Sequence, residues 1–297
     1  MPAMQGELTG ELLRAVSRSF YLTISWLPRE MRQGVGVAYL LARATDTVAD
    51  ASGAPVAQRV QALRQMAAAV ENPAGDAAAE AELAAALRGR LAPEHPREAE
   101  LLARFHEALA ALRALPPEQA EPVRAVLAVI TQGQLWDLSF FEEHNCVLSD
   151  EQTREYTYRV AGCVGRFWTR LGLAAMGARF CDPAQAEAME EAGVRYGCGL
   201  QLVNILRDVA EDAARGRSYL CSDPGVWHER AERYLRDGVD YSRRLRAFRL
   251  RFASMLPALL GLKTLAALRR ARPGAARVKI PRRAVYASML RAFVAAL

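Results

Sequence analysis

Two short stretches place paired carboxylates inside otherwise apolar, helix-like sequence. In YLLARATDTVAD, Tyr39, Arg43, Asp46 and Asp50 step by four, three and four residues. That spacing stacks side chains on one face of a helix. In GLQLVNILRDVAED, Gln201, Asn204, Asp208 and Asp212 step by three, four and four, while Leu200, Leu202, Val203, Ile205 and Leu206 take the other faces. A single pair of this kind is ordinarily a solvated face. Two pairs, each in apolar surroundings with amide and arginine companions, point to chemistry. Four carboxylates brought together raise one another's pKa, and a multivalent cation removes the conflict. Oxygen ligands suit Mg²⁺ or Mn²⁺, and Mg²⁺ commonly shares such carboxylates with substrate phosphates. Arg43, Arg207 and Arg217 offer guanidinium forks for phosphate oxygens. The pattern predicts two facing stripes in a helical bundle, with a diphosphate held by magnesium.

The elements that must position these stripes are helices. Long Ala/Leu/Arg/Glu segments with little β-type alternation favour an all-α chain. Helices are predicted over 7–17, 29–50, 97–114, 118–141, 150–178, 183–213, 227–247, 250–271 and 281–296. Surface helix and loop fill 56–91, broken by ENPAGD at 71–76. Pro28, SGAP at 52–55, PP at 116–117, DP at 182–183, DPG at 223–225 and RPG at 272–274 mark the breaks. No short-period repeat or clear linker divides the chain, so residues 1–297 read as a single helical-bundle domain. Gly162, Gly165 and Gly172 near Phe167 let backbones approach closely, leave room for a long chain, or reflect simple helix packing.

Composition narrows the classes of function. Of 297 residues, 52% are apolar, yet none forms a run of about 18 uncharged apolar residues, the length of a membrane span. The first residues lack the order of a secretory signal. Cys146, Cys163, Cys181, Cys198 and Cys221 show no CxxC pairing, which suggests reduced thiols and a cytoplasmic protein. The net charge of +6 is uneven: the 57 residues from Tyr241 onward hold 14 Arg and Lys and no Asp or Glu. Two readings of that region stay open. One is a solvated face of the last helices; the other is peripheral contact with an anionic membrane, such as the inner membrane surface. No nucleic-acid motif accompanies the charge, so nucleic acid is not an expected partner.

The blocks SRSFYLTISWLP, YLLARATDTVAD, YTYRVAGCVG (156–165) and NILRDVAED, in that order, resemble the signature blocks of the squalene/phytoene synthase family of head-to-head prenyl synthases. The resemblance implies the all-α isoprenoid synthase fold, with helices around a central cavity. It also implies Mg²⁺-dependent condensation of two allylic prenyl diphosphates through a cyclopropyl intermediate. By the same resemblance, Asp46, Asp50, Asp208 and Asp212 bind the metal. Ser17, Arg18, Ser19 and Phe20 form the block whose hydroxyls and arginine contact diphosphate. Tyr39 and Arg43 match the tyrosine and arginine ahead of the first motif. Tyr156 opens the VAG block and is linked to proton handling or cation stabilisation. Gln201, Asn204, Arg207 and Arg217 match the amides and arginines around the second motif. An allylic cation needs a dry cavity with π faces, for which Tyr21, Tyr39, Tyr156, Phe167, Trp168 and Phe252 are available.

Within that family, LPREMR and the Asp46-Thr47 pair look more like squalene synthases than phytoene synthases. Two departures from eukaryotic squalene synthases bear on the reductive second step and its NADPH: Leu202 stands where a lysine is found, and Pro257-Ala258 replaces a Pro-Gln pair. A third expected departure is the lack of their C-terminal membrane anchor. The leading expectation is squalene formation from farnesyl diphosphate. The alternatives are arrest at presqualene diphosphate, phytoene formation from geranylgeranyl diphosphate, and a catalytically inactive assembly or scaffold relative. A first-step terpene cyclase is disfavoured by the SRSF and YxxxVAG blocks.

Overall fold

The computed structural model describes residues 8–17, 19–51, 53–91, 96–144, 147–271 and 278–297. Among them every regular element is helical. The chain divides into two compact units, Met1–Glu142 and Glu143–Leu297.

In the first unit, a π turn at Leu8–Leu12 leads into α1 (Leu13–Ser17), then α2 (Ser19–Trp26) and α3 (Arg29–Ala49). Pro28, extended at φ −50° and ψ 142°, precedes α3. There its missing N–H costs nothing, because the first turn has no acceptor for it. Met31, Val37, Leu40, Leu41, Ala44 and Val48 bury one side of α3. That side packs on α4 (Val56–Glu71), α6 (Pro96–Ala103) and α7 (Phe105–Arg113). Arg59 donates from Nη1 to the Ala49 carbonyl at 2.8 Å, satisfying an end-of-helix acceptor of α3 from α4. α5 (Ala77–Leu91) completes the region expected as surface helix and loop, and Gly75 makes its leading turn at φ +74°. Buried Glu80 of α5 accepts both ends of the Arg113 guanidinium, at 2.6 and 2.9 Å. The helix expected over 97–114 is interrupted at Arg104, whose side chain folds forward onto Glu107 with two 2.9 Å bonds. α8 (Pro117–Glu143) runs 27 residues and tolerates Pro122 near its start.

In the second unit, a capping box opens α9 (Asp150–Thr157). Ser149 Oγ accepts from Gln152 N, and Gln152 Oε1 accepts from Ser149 N. The helix expected over 150–178 widens into a π turn at Tyr158–Gly162 before α10 (Cys163–Met176), and ends where Gly177 takes φ +55°. α11 (Ala186–Ala214) is the central element, packed on α10, on α12 (Pro224–Arg244) and on α13 (Phe248–Leu268). α14 (Arg282–Ala296) lies on α13.

Backbone contact fixes the α10–α11 pairing. A Cβ at Gly165 would fall 1.9 Å from the Gly193 carbonyl oxygen, and one at Gly197 would fall 2.2 Å from the Ala161 oxygen. The close-approach reading of Gly165 therefore holds. Gly172 instead leaves room for the buried Phe180 ring, whose Cε2 lies 2.2 Å from where a Cβ would stand. Tyr196 crosses to α13, donating to the Ser254 carbonyl at 2.6 Å, and Tyr241 Oη meets Thr169 Oγ1 at 2.8 Å. α13 is long and apolar enough by composition to cross a membrane. Leu250, Met255, Ala258 and Leu265 are buried within the unit, as in a core helix.

Candidate functional site

α3 carries the first stripe as the spacing predicts. Tyr39, Arg43 and Asp46 are half-buried and Asp50 is exposed at the helix end. Asp46 accepts a 2.6 Å hydrogen bond from Gln134 Nε2 of α8. Burial, and then the neighbouring Asp50 charge, push the Asp46 carboxyl up from 3.8 to about 6, against the pull of Arg43 and of the Gln134 bond. The side-chain amide oxygen of Gln134, Oε1, is buried with no hydrogen-bond partner. A carboxylate that resists ionisation, beside a hard oxygen lacking a donor, is the surrounding a divalent cation relieves. The residues present therefore fit Mg²⁺ or Mn²⁺. Arg43 is paired with Glu98 of α6, and Tyr39 Oη reaches the Val16 carbonyl at 3.5 Å, the outer limit of a hydrogen bond.

α11 carries the second stripe. Gln201, Asp208 and Asp212 are half-buried and Asn204 is exposed. Asn204 Nδ2 donates weakly to Gln201 Oε1 at 3.4 Å. Arg207 wraps onto Asp208 as a fork, with Nε 2.8 Å from Oδ1 and Nη2 on Oδ2. That charge-assisted pairing holds the guanidinium protonated and neutralises the carboxylate. The chain leaves α11 in a tight turn in which Arg215 N and Arg217 N both donate to the Asp212 carbonyl. It then returns along α9, where Leu148 N donates to Ser218 O and Thr153 Oγ1 to Tyr219 O. This return brings the buried Tyr219 ring onto Tyr156, stacked at 4.7 Å between centroids and 18° between planes. The two hydroxyls are 3.4 Å apart.

The structure gathers Tyr39, Arg43, Asp46 and Asp50 in one unit. It gathers Tyr156, Gln201, Asn204, Arg207, Asp208, Asp212 and Arg217 in the other. Among the described residues no three His, Cys, Asp or Glu side chains converge on one point, so each unit presents a pair. Arg18 and the side chains of Ser17, Ser19 and Phe20 lie outside the described residues, as does Cys146. Phe167 is core, buried in α10. The four described cysteines are free thiols, and burial pushes Cys163 up to about 12 and Cys198 to about 11. Sequence reasoning missed Gln134, Glu98 and Tyr219. Gln134 left a trace as a polar residue in the apolar run VLAVITQGQLW; the other two left none.

A family model described as Squalene/phytoene synthase matches residues 13–223. Phytoene synthase 3 of Zea mays is 30% identical over 217 residues, covering 72% of this chain and 42% of that protein. Presqualene diphosphate synthase of Rhodopseudomonas palustris is 32% identical over 210 residues, covering 70% of this chain and 60% of that one. The chain thus spans about half the length of the curated relatives it matches. A solved ligand complex of TcSQS superposes with a TM-score of 0.76 at 21% identity, over 98% of this chain and 88% of that one, which establishes the shared all-α fold.

Proposed function

The chain belongs to the squalene/phytoene synthase family, and from that premise we propose that it condenses two prenyl diphosphates head to head with Mg²⁺ or Mn²⁺. The observation that carries this reading is the Asp46 surrounding: a half-buried carboxyl held near 6 beside Asp50, with an unsatisfied Gln134 oxygen next to it. Asp46 and Asp50 in one unit, and Asp208 and Asp212 in the other, are the residues proposed to hold metal. The metal, when bound, supplies charge neutralisation for the leaving diphosphate. Arg43, Arg207 and Arg217 are proposed to bind phosphate oxygens, Arg43 and Arg207 exchanging their present carboxylate partners for them. Ser17, Arg18, Ser19, Phe20, Gln201 and Asn204 complete the proposed diphosphate contacts. The stacked Tyr156–Tyr219 pair supplies π faces and adjoining hydroxyls where an allylic cation needs a weakly nucleophilic wall. Tyr39 is proposed to act beside Arg43.

The product proposed is squalene from farnesyl diphosphate, made in the cytoplasm with residues 1–297 acting as one domain. Arrest at presqualene diphosphate is the second reading, favoured by one observation. Leu202, which stands at the family's lysine position, is 1% exposed and packs inside the second unit, so it offers nothing to NADPH. Incubation of the purified chain with farnesyl diphosphate and Mg²⁺, with and without NADPH, separates the two by product. An arm with geranylgeranyl diphosphate tests phytoene formation. Asp46→Asn and Asp208→Asn should each abolish turnover while helicity is retained. Near-normal turnover in both would sink the metal assignment, and no product in any arm would leave a scaffold role.

A further inference from the structure

The last helix, α14, is amphipathic in the wrong direction for a soluble surface. Its inward face is small: Ser288, Ala292 and Ala296, four residues apart, are buried. Its large apolar side chains lie outside. Tyr286, Met289, Leu290, Phe293 and Val294 follow i, i+3, i+4, i+7, i+8 spacing, one continuous stripe. Tyr286 and Leu290 are 67% exposed and Val294 is 61% exposed. Exposed apolar residues scattered singly are ordinary, but a contiguous stripe marks a surface that meets something. Phe293 is seated from below by edge-on contact with Phe248 at 5.2 Å, so the stripe rests on a braced helix.

The charges around the stripe identify what it meets. Arg282 and Arg283 open the same helix, and the chain from Tyr241 onward holds no acid. One flank of α14, at Ala287, Ser288 and Arg291, borders a groove of about 780 Å³ against α12 and α13. Glu232 and Asp240 in that groove are taken up by Arg236, Arg243 and Arg269. Lys263, Arg270 and Arg291 line it with no ion-pair partner among the described residues. A second copy docked on the same stripe would set these bases against their own images, which disfavours a two-fold pair. An anionic lipid surface matches both halves of the pattern: acyl chains for the stripe, headgroup phosphates for the unpaired cations.

We propose that α14 lies in the interface of an anionic membrane, with Tyr286, Leu290, Phe293 and Val294 buried among acyl chains and Lys263, Arg270, Arg282, Arg283 and Arg291 on headgroups. The inference is independent of the product the chain makes. The test is co-sedimentation of the full chain with phosphatidylcholine vesicles and with vesicles containing phosphatidylglycerol, at low and high salt. Binding to the anionic vesicles should weaken with salt, and each arginine replaced in Arg282→Ala/Arg283→Ala should weaken it by about fivefold. Leu290→Ser/Val294→Ser, at exposed positions, should weaken binding at least tenfold with an unchanged melting temperature. Absence of binding to anionic vesicles at low salt would overturn the proposal. So would equal binding by the Leu290→Ser/Val294→Ser variant, since bases alone would then suffice. A dimer in solution that this variant dissociates would also overturn it, assigning the stripe to a second copy.

Discussion

Adding one methyl group at Gly165 should unsettle the second unit more than most larger changes elsewhere. The new Cβ would stand 1.9 Å from the Gly193 carbonyl oxygen, where ordinary contact begins at 3.4 Å. The obstacle is backbone, which cannot rotate away as a side-chain tip does, so α10 and α11 must part by roughly 1.5 Å. Parting them also strains the neighbouring approach of Gly197 to the Ala161 oxygen. Overpacking of this kind costs about 3 kcal/mol, which lowers a melting temperature by roughly 6–12 °C in a unit of this size. Gly89 is the matched control: helical, exposed, with nothing within 4 Å of its would-be Cβ. There Gly89→Ala should stabilise the first unit by about 0.5–1 kcal/mol. Thermal melts by circular dichroism, with calorimetry to resolve the two units, read both variants. A melting temperature for Gly165→Ala within a degree of the parent would refute the backbone-contact argument. So would an effect no worse than that of Gly89→Ala.

Other outcomes follow from groups already placed. The Asp46 carboxyl is raised on folding, so its stabilising contribution is fully present below 3.8 and is lost as pH rises through about 6. The metal-free first unit should lose about 3 kcal/mol from this group between about pH 4 and pH 7. Asp46→Asn should flatten that slope; denaturant titrations in chelator at several pH values check it, and equal slopes would count against it. Glu80→Ala strands the Arg113 guanidinium beside the Gly75 turn and should cost the first unit about 3 kcal/mol, with Glu80→Gln milder; a change below 1 kcal/mol in urea melts would argue otherwise. Ser149→Ala removes an acceptor from the α9 capping box and should cost about 1 kcal/mol, read as a lower melting temperature of the second unit.

Sequence made the two carboxylate stripes legible because polar residues at helical spacing stand out in apolar runs. Proline and glycine marked several helix ends for local steric reasons, as at Pro28 and at the DPG of 223–225, while the end at Gly177 went unmarked. The partners were not legible. Gln134 reaches Asp46 across 88 residues, and Glu98 reaches Arg43 across 55; such pairings depend on how helices pack. The break at Arg104 has no proline or glycine to announce it. The π turn at Tyr158–Gly162 is invisible to a 3.6-residue period. The stripe on α14 shows a deeper limit. Leu290 and Val294 read like the inward face of any helix, because periodicity reports that a face is apolar and not which way it points.

Both aspartate pairs stand at the same end of their helices. Asp46 and Asp50 close α3, and Asp208 and Asp212 fall in the last two turns of α11. The peptide dipoles of each helix sum to about half a negative charge at that terminus. Asp50 and Asp212 therefore add their charge where the main chain is already negative, against the usual preference for bases there. With these pairs holding metal as proposed, a bare diphosphate would meet repulsion from the backbone as well as from the carboxylates. The proposed need for a counter-cation would then follow from helix direction too, and replacing side chains alone would not remove it.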